Sequence, residues 1–269
     1  MAFSMHPTER RDRILALLGE HQSLNVDQIV AALEASSATI RRDLALMADQ
    51  NLLRRFHGGV RLADPAQGGA PADPAPVEDS FSLRLTHHTE AKARIARAAA
   101  DLLLDGVSLL VDTGTTTIAF ARQLAVLRQH LTVITNSVAI ATIIGQSPGR
   151  HRVHLLGGEL DPEPMEMLGR MTLSQIGQYR AEHVVLTVGC LDATGILDFD
   201  EREAEVARAM IARGQKLTVL ADHSKMGRAG VFPVAALNEI AMLVTDAPPP
   251  AEIARALSAA NVQLIITQG

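Results

Sequence analysis

The sequence predicts two folds in series: a winged helix-turn-helix over residues 1–62, α-helical with a small β wing, and an α/β body over residues 81–269 built on a mostly parallel sheet. Three observations predict this arrangement. Residues 63–80, ADPAQGGAPADPAPVEDS, are dominated by Ala, Pro and Gly without apolar periodicity, which is the composition of a linker. Before that stretch, apolar residues recur at helical spacing in three short segments followed by a glycine turn. After it, short unbroken apolar runs alternate with helical segments, the pattern of parallel strands covered on both faces.

In the head, Ile14, Leu15, Leu17 and Leu18 give Arg10–Leu18 one apolar face. Asn25 is suited to cap a second helix whose buried stripe is Val26, Ile29, Val30 and Leu33. Ile40, Leu44 and Met47 fall at i, i+4 and i+7, so they form the core face of a third helix over Ser36–Ala48. Two short helices, a tight turn and a third helix make a helix-turn-helix. Asn51 tolerates a left-handed helix end. The Gly58-Gly59 pair between two short strand-like runs then predicts a hairpin wing.

The body begins with an alanine-rich helix over Thr89–Leu104. Strands follow at Ser108–Val111, Thr132–Ile134, Val153–Leu156, Val184–Val188, Leu217–Leu220, Ala241–Val244 and Gln263–Ile266. Helices fill Ile118–Leu127, Val138–Ile144, Thr172–Tyr179, Glu201–Arg213 and Ala251–Ala259.

Composition narrows the function classes. The 269 residues are 47% hydrophobic and 20% charged, which is globular. No apolar run reaches the roughly 18 residues of a membrane span, and the N-terminus lacks a signal core. A cytoplasmic protein without a membrane partner is expected. The single cysteine, Cys190, excludes an intramolecular disulfide and a Cys-rich zinc site. His87 and His88 adjoin each other and cannot both face one metal, so neither metal nor cofactor is expected. The net charge of −5 is uneven: residues 1–62 carry +1 with clustered arginines and the remainder carries −6. Only the head is suited to meet DNA.

The third helix opens with Ser36, Ser37, Ala38 and Thr39, followed by Arg41 and Arg42. Small residues permit close approach in a major groove, a helix N-terminus attracts phosphate, and Arg contacts guanine O6 and N7 together. On the wing, Arg54, Arg55, His57 and Arg61 around the Gly58 turn suit contacts to the DNA backbone. On residues alone, the alternative is that Arg41 and Arg42 are solvated charges partnered by Asp43 or Asp49. The segment SSATIRRDLALMADQNLLRRFHGGV, however, resembles the signature of the DeoR family of bacterial transcriptional regulators. Ser36, Thr39 to Leu44, Leu53, Arg55 and His57 to Gly59 match it, while Asn51 stands where the family usually has Gly and Val60 where it usually has Ala. The resemblance implies that Ser36–Ala48 is a recognition helix and that operator DNA is the partner.

The body resembles the same family's effector domain in six ordered motifs: Lys92, VDTGTTT at Val111–Thr117, TNS at Thr135–Ser137, LLGG at Leu155–Gly158, VGC at Val188–Cys190 and ADHSK at Ala221–Lys225. The chemistry suits a phosphorylated sugar or polyol effector. Gly114 lets the backbone approach an anion, and Thr113, Thr115, Thr116 and Thr117 place hydroxyls beside the first amides of a helix. Asp112 suits sugar hydroxyls. Thr135, Asn136 and Ser137, and Gly157 with Gly158, follow further strands and converge with it at the carboxyl ends of a parallel sheet. Lys225 supplies a mobile positive charge. Taken singly, the threonines could merely cap a helix and Lys225 could lie on the surface.

The body's fold also resembles ribose-5-phosphate isomerase, and ADHSKMG is similar to that enzyme's Asp-x-Ser-Lys segment. Moving a proton at a sugar carbon needs a carboxylate base. VGCLDATG keeps Asp192 but lacks the isomerase's Asp-Glu pair, so no catalytic residue is expected. The acids Asp198, Asp200, Glu201, Glu203 and Glu205 suit the N-terminus of the next helix. Of these, the resemblance points to Glu205 as an acid facing the pocket. ELDPEPMEMLG, Glu159 to Gly169, reads either as an acidic flap touching the ligand through Glu159 or Glu166, or as an exposed loop. Cys190 reads as a redox switch or as a small buried filler. The expected protein is a DNA-binding regulator of a carbohydrate or polyol operon, a repressor that assembles as a homodimer or homotetramer and is not an enzyme. A sugar-phosphate isomerase with an accessory head, and a constitutive DNA-binding protein, are the alternatives.

Overall fold

The computed structural model describes residues 7–21, 24, 26–33, 35–49, 52–56, 59–62, 78–149 and 151–267. The chain divides into two units, Met1–Val77 and Glu78–Gly269. Asn25, Asn51, His57, Gly58 and residues 63–77 of the expected linker lie outside the described residues.

The first unit holds α1 (Pro7–Glu20), α2 (Val26–Leu33), α3 (Ser37–Asp49), β1 (Leu53–Phe56) and β2 (Gly59–Leu62). Its core is Ile14, Leu18, Ile29, Leu33, Ile40, Leu44, Met47, Leu53 and Val60. β1 and β2 are antiparallel, with Phe56 opposite Gly59, so Gly59 opens the second strand instead of sharing the turn. Leu24 exchanges backbone hydrogen bonds with Val60 at 3.0 and 2.8 Å, which ties the segment before α2 to the wing. Asp43 corrects the sequence reading. It is buried and accepts from Arg10 and, at 3.2 Å, from Arg11, joining α3 to α1 on the face opposite Arg41 and Arg42.

The second unit opens with α4 (Phe81–Thr86) and α5 (Thr89–Ala100), then alternates: β3 (Ser108–Val111), α6 (Thr115–Leu124), β4 (Thr132–Thr135), α7 (Val138–Gly145) and β5 (Arg152–Leu155). A hairpin of β6 (Glu159–Asp161) and β7 (Glu166–Leu168) leads to α8 (Arg170–Ile176) and β8 (Ala181–Leu186). After β9 (Cys190–Leu191) and β10 (Gly195–Asp198) come α9 (Glu201–Ile211), β11 (Gly214–Leu220), β12 (Phe232–Ala236), β13 (Met242–Thr245), α10 (Ala251–Ala259) and β14 (Gln263–Ile266). Seven strands form one all-parallel sheet in the order β14-β13-β11-β8-β3-β4-β5.

Successive strand side chains point to opposite faces, and each face has its own core. Leu109, Val111, Val133, Val185 and Val244 pack with α5, α6 and α7 through Ile95, Phe120, Leu124 and Ile140. Leu110, Ile134, Val184, Leu186 and Leu243 pack with α8, α9 and α10 through Ile176, Met210, Ile253 and Leu257. Helices therefore cover both faces.

Several boundaries differ from expectation for local reasons. α5 stops at Ala100 because Leu102 and Leu103 turn back to the carbonyls of Ala99 and Ala100, three residues away, leaving Leu104 exposed. α6 starts at Thr115, three residues early, because Ile118 N–H already bonds the Gly114 carbonyl at 2.9 Å. The small antiparallel sheet β12-β10-β9 was not expected. Its strands are two to five residues long, and β12 contains Pro233, which a sheet tolerates at its edge. Glu78, within the expected linker, is ion-paired to Arg84 and Lys225 of the second unit.

Candidate functional site

The strand order reverses between β3 and β8: β4 and β5 extend the sheet on one side of this pair, β11, β13 and β14 on the other. Open parallel sheets bind ligands at such a switch point, beyond the carboxyl ends of the strands. Asp112 follows β3 and Thr187 follows β8, and the Asp112 carboxylate accepts the Thr187 N–H at 2.9 and 3.2 Å, spanning the reversal. Burial holds Asp112 well above the usual carboxylate range, against the stabilising Thr187 N–H.

From this bridge a chain of polar contacts leads to the hairpin. Thr113 Oγ1 donates to Asn136 Oδ1 at 3.2 Å, and Asn136 Nδ2 donates to Glu166 Oε2 at 3.1 Å and to the Met167 carbonyl at 3.2 Å. The single Thr113 proton is directed at Asn136, and Glu166 Oε1 is enclosed without a hydrogen-bond partner. Glu166 is only 3% exposed. Burial pushes it up to about 7, eased by neighbouring Thr113 and Asn136 and reinforced by Asp161 and Asp198.

These residues line one cavity together with Glu78, Arg84, Asp198 and Glu203. Its volume of about 20 Å³ holds little more than one water, so a sugar-sized ligand enters only if the walls move apart. Burial raises Asp198 to about 6, with the Glu78 charge adding to the effect, and raises Glu203 well above the ordinary range. Arg84 also lines an adjoining groove with His88, Lys92, Lys225 and Arg228. At the join, the Glu78 carboxylate is held by Lys225 Nζ and Arg84 Nη1, each at 2.7 Å. The site is thus an acidic chamber and a basic groove that share Arg84.

The sequence-derived residues separate into two groups. Asp112, Thr113 and Asn136 reach the cavity, and Lys225 reaches the groove, buried and ion-paired instead of mobile. The others line neither the cavity nor the groove. Thr115, Thr116 and Thr117 are buried in the first turn of α6, with the Thr117 hydroxyl donating to the Gly114 carbonyl. A Cβ on Gly114 would stand 1.9 Å from Thr187 Cγ2, so this glycine makes room for the β8 loop. The Thr135 hydroxyl accepts from Ser137 N–H, and Ser137 caps α7. Gly157 donates to Gln175, and a Cβ on Gly158 would meet Thr172 Oγ1 at 2.1 Å, so both pack against α8.

Glu205 is exposed on α9 and does not line the cavity; Glu203, about 200° away around the helix, does. Lys92 clamps the α4–α5 turn through the carbonyls of His87 and Arg84. Of the two flap acids, Glu159 is exposed and Glu166 lines the cavity. Buried Cys190 has its thiol pushed up to about 11 by desolvation, which suits a filler. The sequence reading missed Glu78 and Arg84, since one was placed in the linker and the other precedes the first expected helix. It read Asp198 and Glu203 only as part of an acid run. That run divides by role: Asp200 caps α9 by accepting from Arg202 N–H at 2.8 Å.

In the first unit, Ser36 caps α3: its Oγ accepts the Thr39 N–H at 3.2 Å and lies 2.8 Å from the Thr39 hydroxyl. Ser37 and Ala38 occupy the first turn of α3, and Arg41 and Arg42 are exposed beyond it. Arg54 and Arg55 lie on β1, opposite Arg61 and Val60.

Comparison with known proteins agrees with this division. Residues 10–66 match the model of the DeoR-like helix-turn-helix domain, and residues 87–247 match that of the DeoR C terminal sensor domain. The chain is 31% identical to the HTH-type transcriptional repressor CsqR of Escherichia coli, over 96% of this chain and 95% of that one. It is 31% identical to the Glycerol-3-phosphate regulon repressor of Escherichia coli, over 97% and 99%. It is 33% identical to the HTH-type transcriptional repressor GlcR of Bacillus subtilis, over 98% of each. The ribose 5-phosphate isomerase A of Methanocaldococcus jannaschii is similar at 15% identity and a TM-score of 0.38, over 51% of this chain and 54% of that one, a likeness too weak to speak of chemistry. Both units match one family, in order and along nearly the whole chain, and the chain belongs to the DeoR family of DNA-binding transcriptional regulators.

Proposed function

We propose that this protein represses a carbohydrate or polyol catabolic operon and that a phosphorylated sugar or polyol, bound at the sheet's switch point, lowers its affinity for the operator. The observation that carries this reading is the pairing of a basic groove with an acidic chamber through Arg84. Lys225 and Arg84 already hold the Glu78 carboxylate, and a phosphate satisfies the same two cations. The remainder of the ligand then extends into the chamber. CsqR, the Glycerol-3-phosphate regulon repressor and GlcR, to which the chain is similar, are repressors, which supports repression.

On the DNA side, Ser37, Ala38, Arg41 and Arg42 of α3 meet base edges and phosphates, and β1 supplies Arg54 and Arg55 to the backbone. A pair of heads in a dimer or tetramer reads two half-sites. The protein acts in the cytoplasm and turns nothing over. The test is a titration of the operator complex, using DNA from upstream of the protein's own gene, with a panel of sugar phosphates. At least one compound should release the DNA, and Lys225→Gln should raise the concentration needed by tenfold or more. If no phosphorylated compound changes operator binding, the sensor reading fails. Turnover of ribose 5-phosphate would overturn it in favour of an enzyme.

A further inference from the structure

The chamber gathers more carboxyl groups than its neighbours could compensate if all were ionised. Glu166, Asp198 and Glu203 line it with Asp112, and Arg84, the cation among the residues lining it, is already paired with Glu78. Asp112 spends both oxygens on the Thr187 N–H, and Asp198 Oδ1 accepts from the Phe199 N–H at 2.6 Å. Glu166 differs from these two. It is 97% buried, lines the cavity, and keeps Oε1 without a donor. The acids also repel one another: Asp198 raises Glu166, and both raise Glu203. Among the described residues, no three acidic, His or Cys side chains are arranged to hold a metal ion. A sugar hydroxyl satisfies a lone oxygen but leaves this repulsion in place. An ammonium group satisfies the oxygen with a charged donor and offsets the repulsion.

We infer that the effector is a phosphorylated sugar or polyol bearing a protonated primary amine, with its ammonium received by Glu166, Asp198 and Glu203 and its phosphate by Arg84 and Lys225. This rests on the phosphorylated-effector reading and narrows its ligand class. Glu166 and Glu203 are then the residues that set specificity. Glu166 stands on the β6–β7 hairpin and Glu203 on α9, and Arg202 of α9 binds Asp161 of the hairpin at 3.1 Å, so an amine that draws the two carboxylates together engages two tied elements.

The experiment uses the full-length protein and pairs of compounds that differ only in amine against hydroxyl: glucosamine 6-phosphate with glucose 6-phosphate, and serinol phosphate with glycerol 3-phosphate. Affinities are measured by calorimetry at pH 7, and N-acetylglucosamine 6-phosphate serves as an uncharged amide control. In at least one pair the amine should bind tenfold tighter or better, with the acetylated compound resembling the hydroxyl. Glu203→Gln and Glu166→Gln should each shrink that ratio to threefold or less, with folding checked by a single cooperative thermal transition. Two independent variants guard against loss of fold in one. If the hydroxyl compound binds as tightly as the amine in every pair that binds, the amine assignment is wrong while the phosphorylated-effector reading stands. If no member of any pair binds, and no other sugar phosphate releases the operator, both are overturned.

Discussion

At Gly114 the backbone is extended, with φ −179°, a conformation open to any residue, so the glycine answers to space alone. Gly114→Ala places a methyl 1.9 Å from Thr187 Cγ2 and should cost about 1–3 kcal/mol by overpacking, read from urea denaturation. Adding Thr187→Ser removes that methyl and should recover part of the loss; no recovery would mean the strain lies elsewhere. Glu166 supports a pH prediction. Its folded-state pKa, about 7, lies above its ordinary 4.5. The stability it contributes is therefore fully present below about pH 4.5 and lost as pH rises through about 7. Glu166→Gln removes this titration, so between about pH 5 and pH 8 the unliganded wild type should lose more Tm than the variant. Asp198 and Glu203 face the same cleft with pKa shifts in the same direction and should retain part of the dependence in the variant. Equal slopes would show that Glu166 does not titrate in this range.

Among the elements, α3 carries two tasks on opposite faces. Its inner face holds Ile40, Leu44, Met47 and Asp43, and its outer face presents Arg41 and Arg42. Asp43→Ala withdraws the carboxylate that Arg10, itself 8% exposed, meets between α1 and α3. Breaking a buried pair from one side costs about 3–5 kcal/mol, enough to unfold a small head, as limited proteolysis of residues 1–62 should show. Arg41→Ala and Arg42→Ala should leave the head's stability within about 0.5 kcal/mol, as surface changes do, and weaken operator binding. If Asp43→Ala proved as benign as those two, the ion pair would be an incidental contact. On α9, the same geometry separates Glu203 from Glu205: two residues along a helix turn the side chain about 200°, so one faces the cavity and the other solvent.

For the molecule as a whole, charge and coupling set the measurable behaviour. The −6 of residues beyond the head opposes non-specific attachment to DNA, so operator affinity depends on few cations. Each Arg that contacts a phosphate adds about 0.9 to the slope of log affinity against log salt. Arg42→Ala should lower that slope by about one if Arg42 touches phosphate, and should relax sequence preference at constant slope if it reads a base. An unchanged slope and preference would remove Arg42 from the interface. Release of the operator by an effector also requires unequal affinity for the two states. A hundredfold fall in DNA affinity corresponds to about 2.7 kcal/mol of coupling, and by linkage operator DNA must weaken effector binding by the same factor. Calorimetry of effector binding with and without operator DNA checks that equality.

By itself the sequence determined the order of the two folds, the helix-turn-helix core and the alternation of strands and helices, because apolar periodicity and turn residues are local. It also brought Asp112, Thr113 and Asn136 together, since they sit on the loops that a parallel sheet must bring to one edge, and there they line the cavity. Only the tertiary structure decided what the flanking motif residues do. Thr115 to Thr117, candidate ligand contacts in the sequence, form the buried first turn of α6, because the helix begins three residues earlier than the apolar pattern does. Glu78 with Arg84, Glu166, and Asp198 with Glu203 come from three separate stretches of the chain, and no spacing along the chain relates the three. Their convergence depends on where α4, the hairpin and α9 pack against the sheet. A carboxylate becomes a chamber wall only when the surrounding chain removes it from water, and the sequence does not record that burial.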